Sequence, residues 1–227
     1  MLEAGSESVE IRVDAGHSVS GLWRRPSSAR CALALAPGAG AGITHAFMAD
    51  MAGKLAERSV ATLRYQFPYM ERGSRRPDPP ALCHATVRAA VDRLSELAAP
   101  LRLFAGGKSF GGRMTSQAQA GGALGGVRGL VFLGFPLHPA KQPAEARGEH
   151  LAKVQIPLLF LQGTRDELAD LALLEPLIER LGKHATLRVV EAADHSFHVP
   201  ARTGRSDEEV RSELAEWIAA FTEGNLK

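Results

Sequence analysis

Leu101–Gly112 reads LRLFAGGKSFGG. Its first half is a short apolar run, Leu101, Leu103, Phe104 and Ala105, with the length and composition of a buried strand. Its second half is dense in glycine, and Gly107-Lys108-Ser109-Phe110-Gly111 fits G-x-S-x-G, the nucleophile-elbow pattern. The pattern has a mechanical origin. A strand turns sharply into a helix, the residue at the tip is held in a strained backbone conformation, and flanking glycines let the helix come close to the strand. The tip side chain then stands clear of the sheet at a helix N-terminus. With 23 glycines in the chain a single five-residue match is weak evidence alone, so the remaining sequence must supply a base, an orienting acid and donors for an oxyanion.

Outward from this stretch the chain alternates strands and helices. Upstream, residues 8–13 and 19–23 read as an N-terminal hairpin around Gly16, CALALA at 31–36 as a buried strand stopped by Pro37-Gly38, and VATLRY at 60–65 as another strand. Between the last two lies a helical pattern with Phe47, Met48, Met51, Ala52 and Leu55 on one face. Residues 66–80 are broken by proline and glycine and read as a loop; 82–97 is an amphipathic helix. Downstream, strands are expected at 130–134, 156–162 and 186–190. Pro176 is expected to start a second helical turn rather than sit inside one helix. Ser206-Asp207-Glu208-Glu209 is a capping box opening a terminal helix. A short antiparallel start followed by strand–helix alternation predicts an α/β fold: a three-layer αβα sandwich with a mostly parallel sheet of about seven to eight strands. One domain spanning 1–227 is expected. The segment between Gly134 and Ile156, roughly twenty residues, is too short for a large cap domain, so an open, shallow site is expected.

Composition narrows the function. Hydrophobic residues make up 45% and charged residues 23%, ordinary for a globular protein, and the net charge is +2 with no long basic run, which removes support for nucleic-acid binding. No segment is apolar for long enough to span a bilayer, and MLEAGSESVEIRV lacks the pattern of a signal peptide. The two cysteines, Cys31 and Cys83, suit a reducing, cytoplasmic setting. No cofactor is expected. G-x-G-x-x-G fails because Ile43 or His45 stands at the third glycine, the P-loop pattern would need glycine where Arg102 stands, and no H-x-x-x-H or C-x-x-C occurs to hold a metal.

Three groups fall just past strand ends, in the order Ser109, Asp166, His195. In a parallel sheet such loops share one edge, and this is the order expected of a nucleophile, acid and base on that architecture. A serine hydroxyl is a poor nucleophile until an imidazole takes its proton, and a carboxylate holds the imidazole in the right tautomer. The N–H of Phe110, the residue after the nucleophile, and an N–H from the first glycine-rich loop, best placed at Ala39, are suited to stabilise an oxyanion. Asp170 is a rival acid but reads as a local helix cap; His45, His138 and His198 are rival bases. Gly40, Lys108 and Tyr69 are further candidates for substrate contact, with Lys108 alternatively paired to a carboxylate, and Tyr69 with Phe67 alternatively packing the 66–80 loop.

These residues resemble the α/β-hydrolase superfamily and, more narrowly, its dienelactone-hydrolase-like branch. The phrases PGAGAG at 37–42, RYQFPYMERG at 64–73, GGKSFGGRM at 106–114, FLGFPLHP at 132–139, FLQGTRDEL at 160–168 and DHSFHVP at 194–200 are similar to the testis-expressed and NSL-complex-subunit hydrolase-like proteins and their bacterial relatives. The resemblance covers about Cys31 to Phe221. It implies Ser109 as nucleophile, Asp166 as acid, His195 as base and Ala39 and Phe110 as oxyanion donors. Two departures stand out: Pro37 where many hydrolases have histidine, and serine where the dienelactone type often has cysteine. A serine hydrolase acting on an ester, thioester or related acyl bond of a small-molecule substrate is the resulting expectation. The alternatives are a non-catalytic scaffold on the same fold and an acyltransferase using the same triad. Exposed apolar patches on edge elements could support a homodimer.

Overall fold

The structure, a computed structural model, describes residues 5–226. The outermost positions of the expected single domain, 1–4 and 227, lie outside the described residues. Eight strands form one sheet: β1 (Glu7–Arg12), β2 (Ser18–Arg24), β3 (Cys31–Ala36), β4 (Val60–Tyr65), β5 (Arg102–Lys108), β6 (Val127–Leu133), β7 (Leu158–Gly163) and β8 (Ala185–Val190). Their order is β1-β2-β4-β3-β5-β6-β7-β8. The first hairpin is antiparallel, β2 joins β4 antiparallel, and β3 to β8 run parallel.

The uninterrupted apolar runs are explained by burial on both faces. Successive side chains of a strand point to opposite sides. Ala32, Ala34 and Ala36 of β3 therefore enter one core with Leu103 and Ala105 of β5, while Leu33, Leu35 and Phe104 enter the other. Helix α3 (Pro80–Ala98) closes the first core with Val87, Val91 and Leu94, joined by Met114 of α4 (Phe110–Ala120) and Leu174 of α5 (Leu171–Leu181). Helices α1 (Ala46–Glu57) and α6 (Asp207–Gly224) close the second with Met48, Met51, Leu55, Leu214 and Ile218. Small alanines on one side of β3 and large leucines on the other set how closely each layer approaches.

The parallel sheet grows in both directions from β3. The chain steps from β3 to β4 on one side and then crosses to β5 on the other, so the loops after β3 and β5 leave in opposite senses. A crevice opens at such a switch point, at the carboxyl ends of the strands. The loop after β3 and Ser109 both lie there.

Three local features refine the sequence reading. The 66–80 loop contains a single helical turn, α2 (Pro68–Glu71), started by Pro68. The segment after β6 contains a 3-10 stretch, Ala146–Lys153, which packs against α4; no cap domain is present among the described residues. Pro176 lies inside α5, contrary to the expectation of a helix restart. The helix runs through because Leu174, Leu177 and Leu181 share one buried face, and that burial offsets the hydrogen bond proline cannot donate. No helix is long and apolar enough to cross a membrane among the described residues. The apolar edge expected to support a homodimer amounts, among the described residues, to one exposed large side chain, Val189 on β8.

The capping box at the start of α6 is formed as read. Ser206 Oγ accepts from the Glu209 N–H (3.2 Å), and Glu209 Oε2 accepts from the Ser206 N–H (2.7 Å). Ser206→Ala is expected to lower unfolding free energy by about 1 kcal/mol, read by urea denaturation.

Candidate active site

Ser109 has φ +51° and ψ −118°, a conformation a side chain rarely adopts. Its N–H donates to the Leu133 carbonyl (3.0 Å), and the Ser109 carbonyl accepts from the Arg113 N–H (3.1 Å), so β6 and the first turn of α4 hold the strained residue on both sides. The flanking glycines are required by contact. A Cβ at Gly107 would lie 2.4 Å from the Ala36 carbonyl oxygen, and one at Gly111 would lie 2.5 Å from that of Pro37. The elbow is thus pressed against the end of β3, where the Pro37–Gly42 loop begins.

The three groups predicted from strand ends converge. Ser109 Oγ is 2.8 Å from His195 Nε2, and His195 Nδ1 is 2.7 Å from Asp166 Oδ2. A carboxylate can only accept, so Nδ1 carries the proton and Nε2 is left as acceptor for the serine hydroxyl. Asp166 is almost wholly buried and does not stand alone: Gln162 Nε2 donates to its Oδ2 (2.5 Å) and the Leu168 N–H to its Oδ1 (2.8 Å). The Asp166 turn and the His195 loop are joined by backbone, with the Arg165 N–H donating to the Ala193 carbonyl (2.9 Å). Beyond His195 the loop is tied by Asp194, whose Oδ1 accepts from Ser196 and His198 N–H groups (2.8 and 3.0 Å). Phe197, buried at φ +62°, stacks on Phe47 with centroids 6.0 Å apart.

Three of the four rival residues are engaged elsewhere. Asp170 caps α5, accepting from the Ala172 N–H (2.9 Å). His138 is buried and its Nε2 accepts from the Asp170 N–H (2.8 Å). His198 pairs at the surface with Asp207 (2.8 Å), which raises its pKa chiefly through that hydrogen bond. His45 caps α1 and also lines the cavity beside Ser109. That cavity, about 390 Å³, is lined by Gly38, Ala39, Gly40, Ala41, His45, Phe47, Met48, Lys108, Ser109, Leu168, His195 and Ser196. Ala39 and Gly40 are therefore beside the serine as expected. Among the described residues neither of their N–H groups has a protein acceptor. Phe110 opens α4, where the first N–H groups of a helix have no intrahelical partner.

Two candidate substrate contacts turn out differently. Tyr69 is fully buried and is absent from the cavity lining; its hydroxyl donates to the Ala39 carbonyl (2.8 Å). Lys108 borders the cavity, but its ammonium donates to the His195 carbonyl and lies 5.3 Å over the Phe197 ring. Sequence reasoning missed Gln162 and Gly134. Gln162 read only as the end of a strand. A Cβ on Gly134, at φ +67°, would lie 2.9 Å from Lys108 Nζ, 3.3 Å from His195 Nδ1 and 3.4 Å from Asp166 Oδ2. A polar residue closing an otherwise apolar strand, and a glycine ending its neighbour, were the available signals.

With fold and geometry in view, the class is defined first by architecture: a parallel sheet presenting a strained serine at a strand–helix turn. The chain belongs to the family described as alpha/beta hydrolase domain, which matches residues 29–223. Solved structures share the fold at low identity. A dienelactone hydrolase from Anabaena variabilis aligns with a TM-score of 0.79 at 20% identity over 98% of each chain. XC6422 from Xanthomonas campestris, described as a serine hydrolase without lid, aligns at 0.74 and 19% identity over 97% of each chain. Est1E from Butyrivibrio proteoclasticus aligns at 0.68 and 16% identity, covering 93% of this chain and 99% of its own.

Burial pushes the Lys108 ammonium down to about 8 from 10.5, partly offset by Asp166 and Asp194. Between those values the unfolded chain holds a proton the folded chain lacks. This group's contribution to stability is therefore full above pH 10.5 and is lost as pH falls through about 8. Urea titrations of the wild type and Lys108→Met across pH 7–10.5 are expected to show a rise in stability with pH that the variant lacks.

Proposed function

We propose that this protein is a serine hydrolase that cleaves esters or thioesters of small, uncharged acyl groups. The observation that carries the reading is the unbroken hydrogen-bonded line from Ser109 Oγ through His195 to the buried Asp166. In this reading Ser109 Oγ attacks the substrate carbonyl carbon as its proton passes to His195 Nε2. The carbonyl electron pair moves onto oxygen, where the Ala39 and Phe110 N–H groups donate to it. Collapse breaks the bond to the alcohol or thiol, which leaves with the proton from His195. Water then attacks the acyl-serine, gives its proton to Nε2, and the second collapse returns it to Ser109. Asp166 stabilises the imidazolium, and Gln162 and the Leu168 N–H hold its oxygens in place.

The acyl preference follows from the cavity wall. Ala39, Ala41, Phe47, Met48 and Leu168 are apolar, and the only lysine or arginine on the wall among the described residues, Lys108, has its ammonium turned to the His195 carbonyl. A carboxylate on the acyl group would lose water without gaining a free cation. The lack of a cap domain among the described residues leaves water access for deacylation, which favours hydrolysis over transfer to another acceptor. The reading includes one domain across 1–227, and the narrower likeness to the testis-expressed and NSL-complex-subunit group, carried by RYQFPYMERG and GGKSFGGRM.

Labelling with a fluorophosphonate probe and mass mapping is expected to mark Ser109 and to fail in Ser109→Ala; folded wild-type protein that is never labelled would overturn the proposal. Asp166→Asn is expected to lower kcat for p-nitrophenyl acetate by roughly 1,000- to 10,000-fold, by analogy with loss of the acid in other triads. In paired assays, kcat/KM for p-nitrophenyl butyrate should exceed that for the p-nitrophenyl ester of succinate by about tenfold or more. Equal values would remove the uncharged-acyl part of the reading.

A further inference from the structure

The Pro37–Gly42 loop is exposed at Ala39 and Gly40, yet one of its carbonyls is anchored in the core. Gly38 and Ala41 close a tight turn, the Ala41 N–H donating to the Gly38 carbonyl (3.1 Å). A peptide is planar and trans, so its N–H points opposite to its C=O. The turn bond therefore sets the direction of the Ala39 N–H. It leaves the next peptide, between Ala39 and Gly40, unfixed. Gly40 has no side chain, accepts either sign of φ, and has open space around it, with no atom within 4 Å of a Cβ built there. No side chain at Gly40 stands against that peptide turning over.

We propose that Tyr69 is a positioning residue that locks the Ala39–Gly40 peptide with its carbonyl away from Ser109, keeping the oxyanion side of the pocket free of an opposing dipole. The inference rests on the serine-hydrolase reading above. The Tyr69 hydroxyl donates to the Ala39 carbonyl at 2.8 Å, from a side chain that has no solvent exposure. A turned peptide would aim the same oxygen into the pocket, at the place where negative charge develops during attack. Electrostatic repulsion there is strong because the groups are fixed and partly shielded from water.

The tyrosine is itself held on three sides. Its N–H donates to Asp78 Oδ2 (2.7 Å), and Asp78 also pairs with Arg72. Its ring stacks on Phe67 (6.2 Å between centroids) and meets Phe110 edge-on (6.3 Å). Phe67 meets Phe110 as well (5.3 Å). One aromatic cluster thus touches both sides of the oxyanion site: the hydroxyl fixes the loop after β3, and the rings pack on the residue that opens α4. Burial raises the phenol's pKa, so it stays a donor at every pH at which the protein would be assayed.

The test is Tyr69→Phe, which removes one oxygen and keeps the rings packed. Its crystal structure is expected to show the Ala39 carbonyl turned toward Ser109 in all or part of the molecules. With p-nitrophenyl acetate, kcat is expected to fall roughly 10- to 100-fold while KM stays within twofold. A peptide that keeps its wild-type orientation overturns the proposal whatever the rate, and so does a kcat within twofold of wild type. If the wild type neither labels nor turns over, the hydrolase reading fails on its own account, and the peptide orientation in Tyr69→Phe alone decides whether Tyr69 positions this loop. Should Tyr69→Phe fold poorly, Phe67→Leu serves as the packing control: it disturbs the rings but keeps the hydroxyl, and it is expected to retain the wild-type peptide orientation.

Discussion

The contact between the elbow and the end of β3 governs this molecule. Ser109 is held at a backbone angle that an isolated chain would avoid, and it stays there because α4 can lie against the Ala36 and Pro37 carbonyls without a side chain between them. That one approach aims the serine hydroxyl out of the sheet and sets α4's first N–H groups beside it. It also brings the Pro37–Gly42 loop alongside. The strain is local, but the sheet that resists it is large: β3 and β5 are neighbours near the centre, buried on both faces. Marginal stability overall is compatible with a strained site when the surrounding packing over-determines it.

Asp166 and His195 reach the same point by a different device. Asp166 and His195 come from the ends of β7 and β8, away from the elbow strand, and their loops are bound to each other by backbone before either meets the serine. Lys108 then ties the base loop back to the elbow strand through the His195 carbonyl. The chemistry is therefore distributed over two rigid pieces of one sheet edge. The side chains that link them are short of solvent, which keeps their hydrogen bonds strong and costly to leave unmade.

Much of this was legible in the sequence because it depends on local pattern. Apolar runs ended by glycine or proline gave strands, and G-x-S-x-G gave the elbow. Strand-end positions brought out Asp166 and His195, and Ser206–Glu209 read as a cap that the structure forms. What escaped depends on how the chain folds back on itself, over four residues or over many. Gln162 supports Asp166 only because the turn folds back on its own strand, and Gly134 lies beneath the site only because β6 sits beside β7. Local pattern left Tyr69 open between lining a pocket and packing the 66–80 loop; its burial is decided by Phe110 and Ala39, thirty or more residues away. Pro176 misled for the opposite reason: a strong local rule yielded to a buried leucine face.

The cavity wall suggests how such a molecule diversifies. Phe47 and Met48 stand on α1, and Leu168 follows the acid in the turn after β7, whereas the serine and the base belong to β5 and the β8 loop. The side chains that shape the cavity are thus borne largely by elements that do not carry Ser109 or His195. A change of side chain at Phe47 alters the space offered to a substrate and leaves the proton path intact. Under the proposed hydrolase reading, selectivity and reactivity are inherited separately, so a lineage built on this frame can explore new substrates by single substitutions without first dismantling the Ser109–His195–Asp166 line.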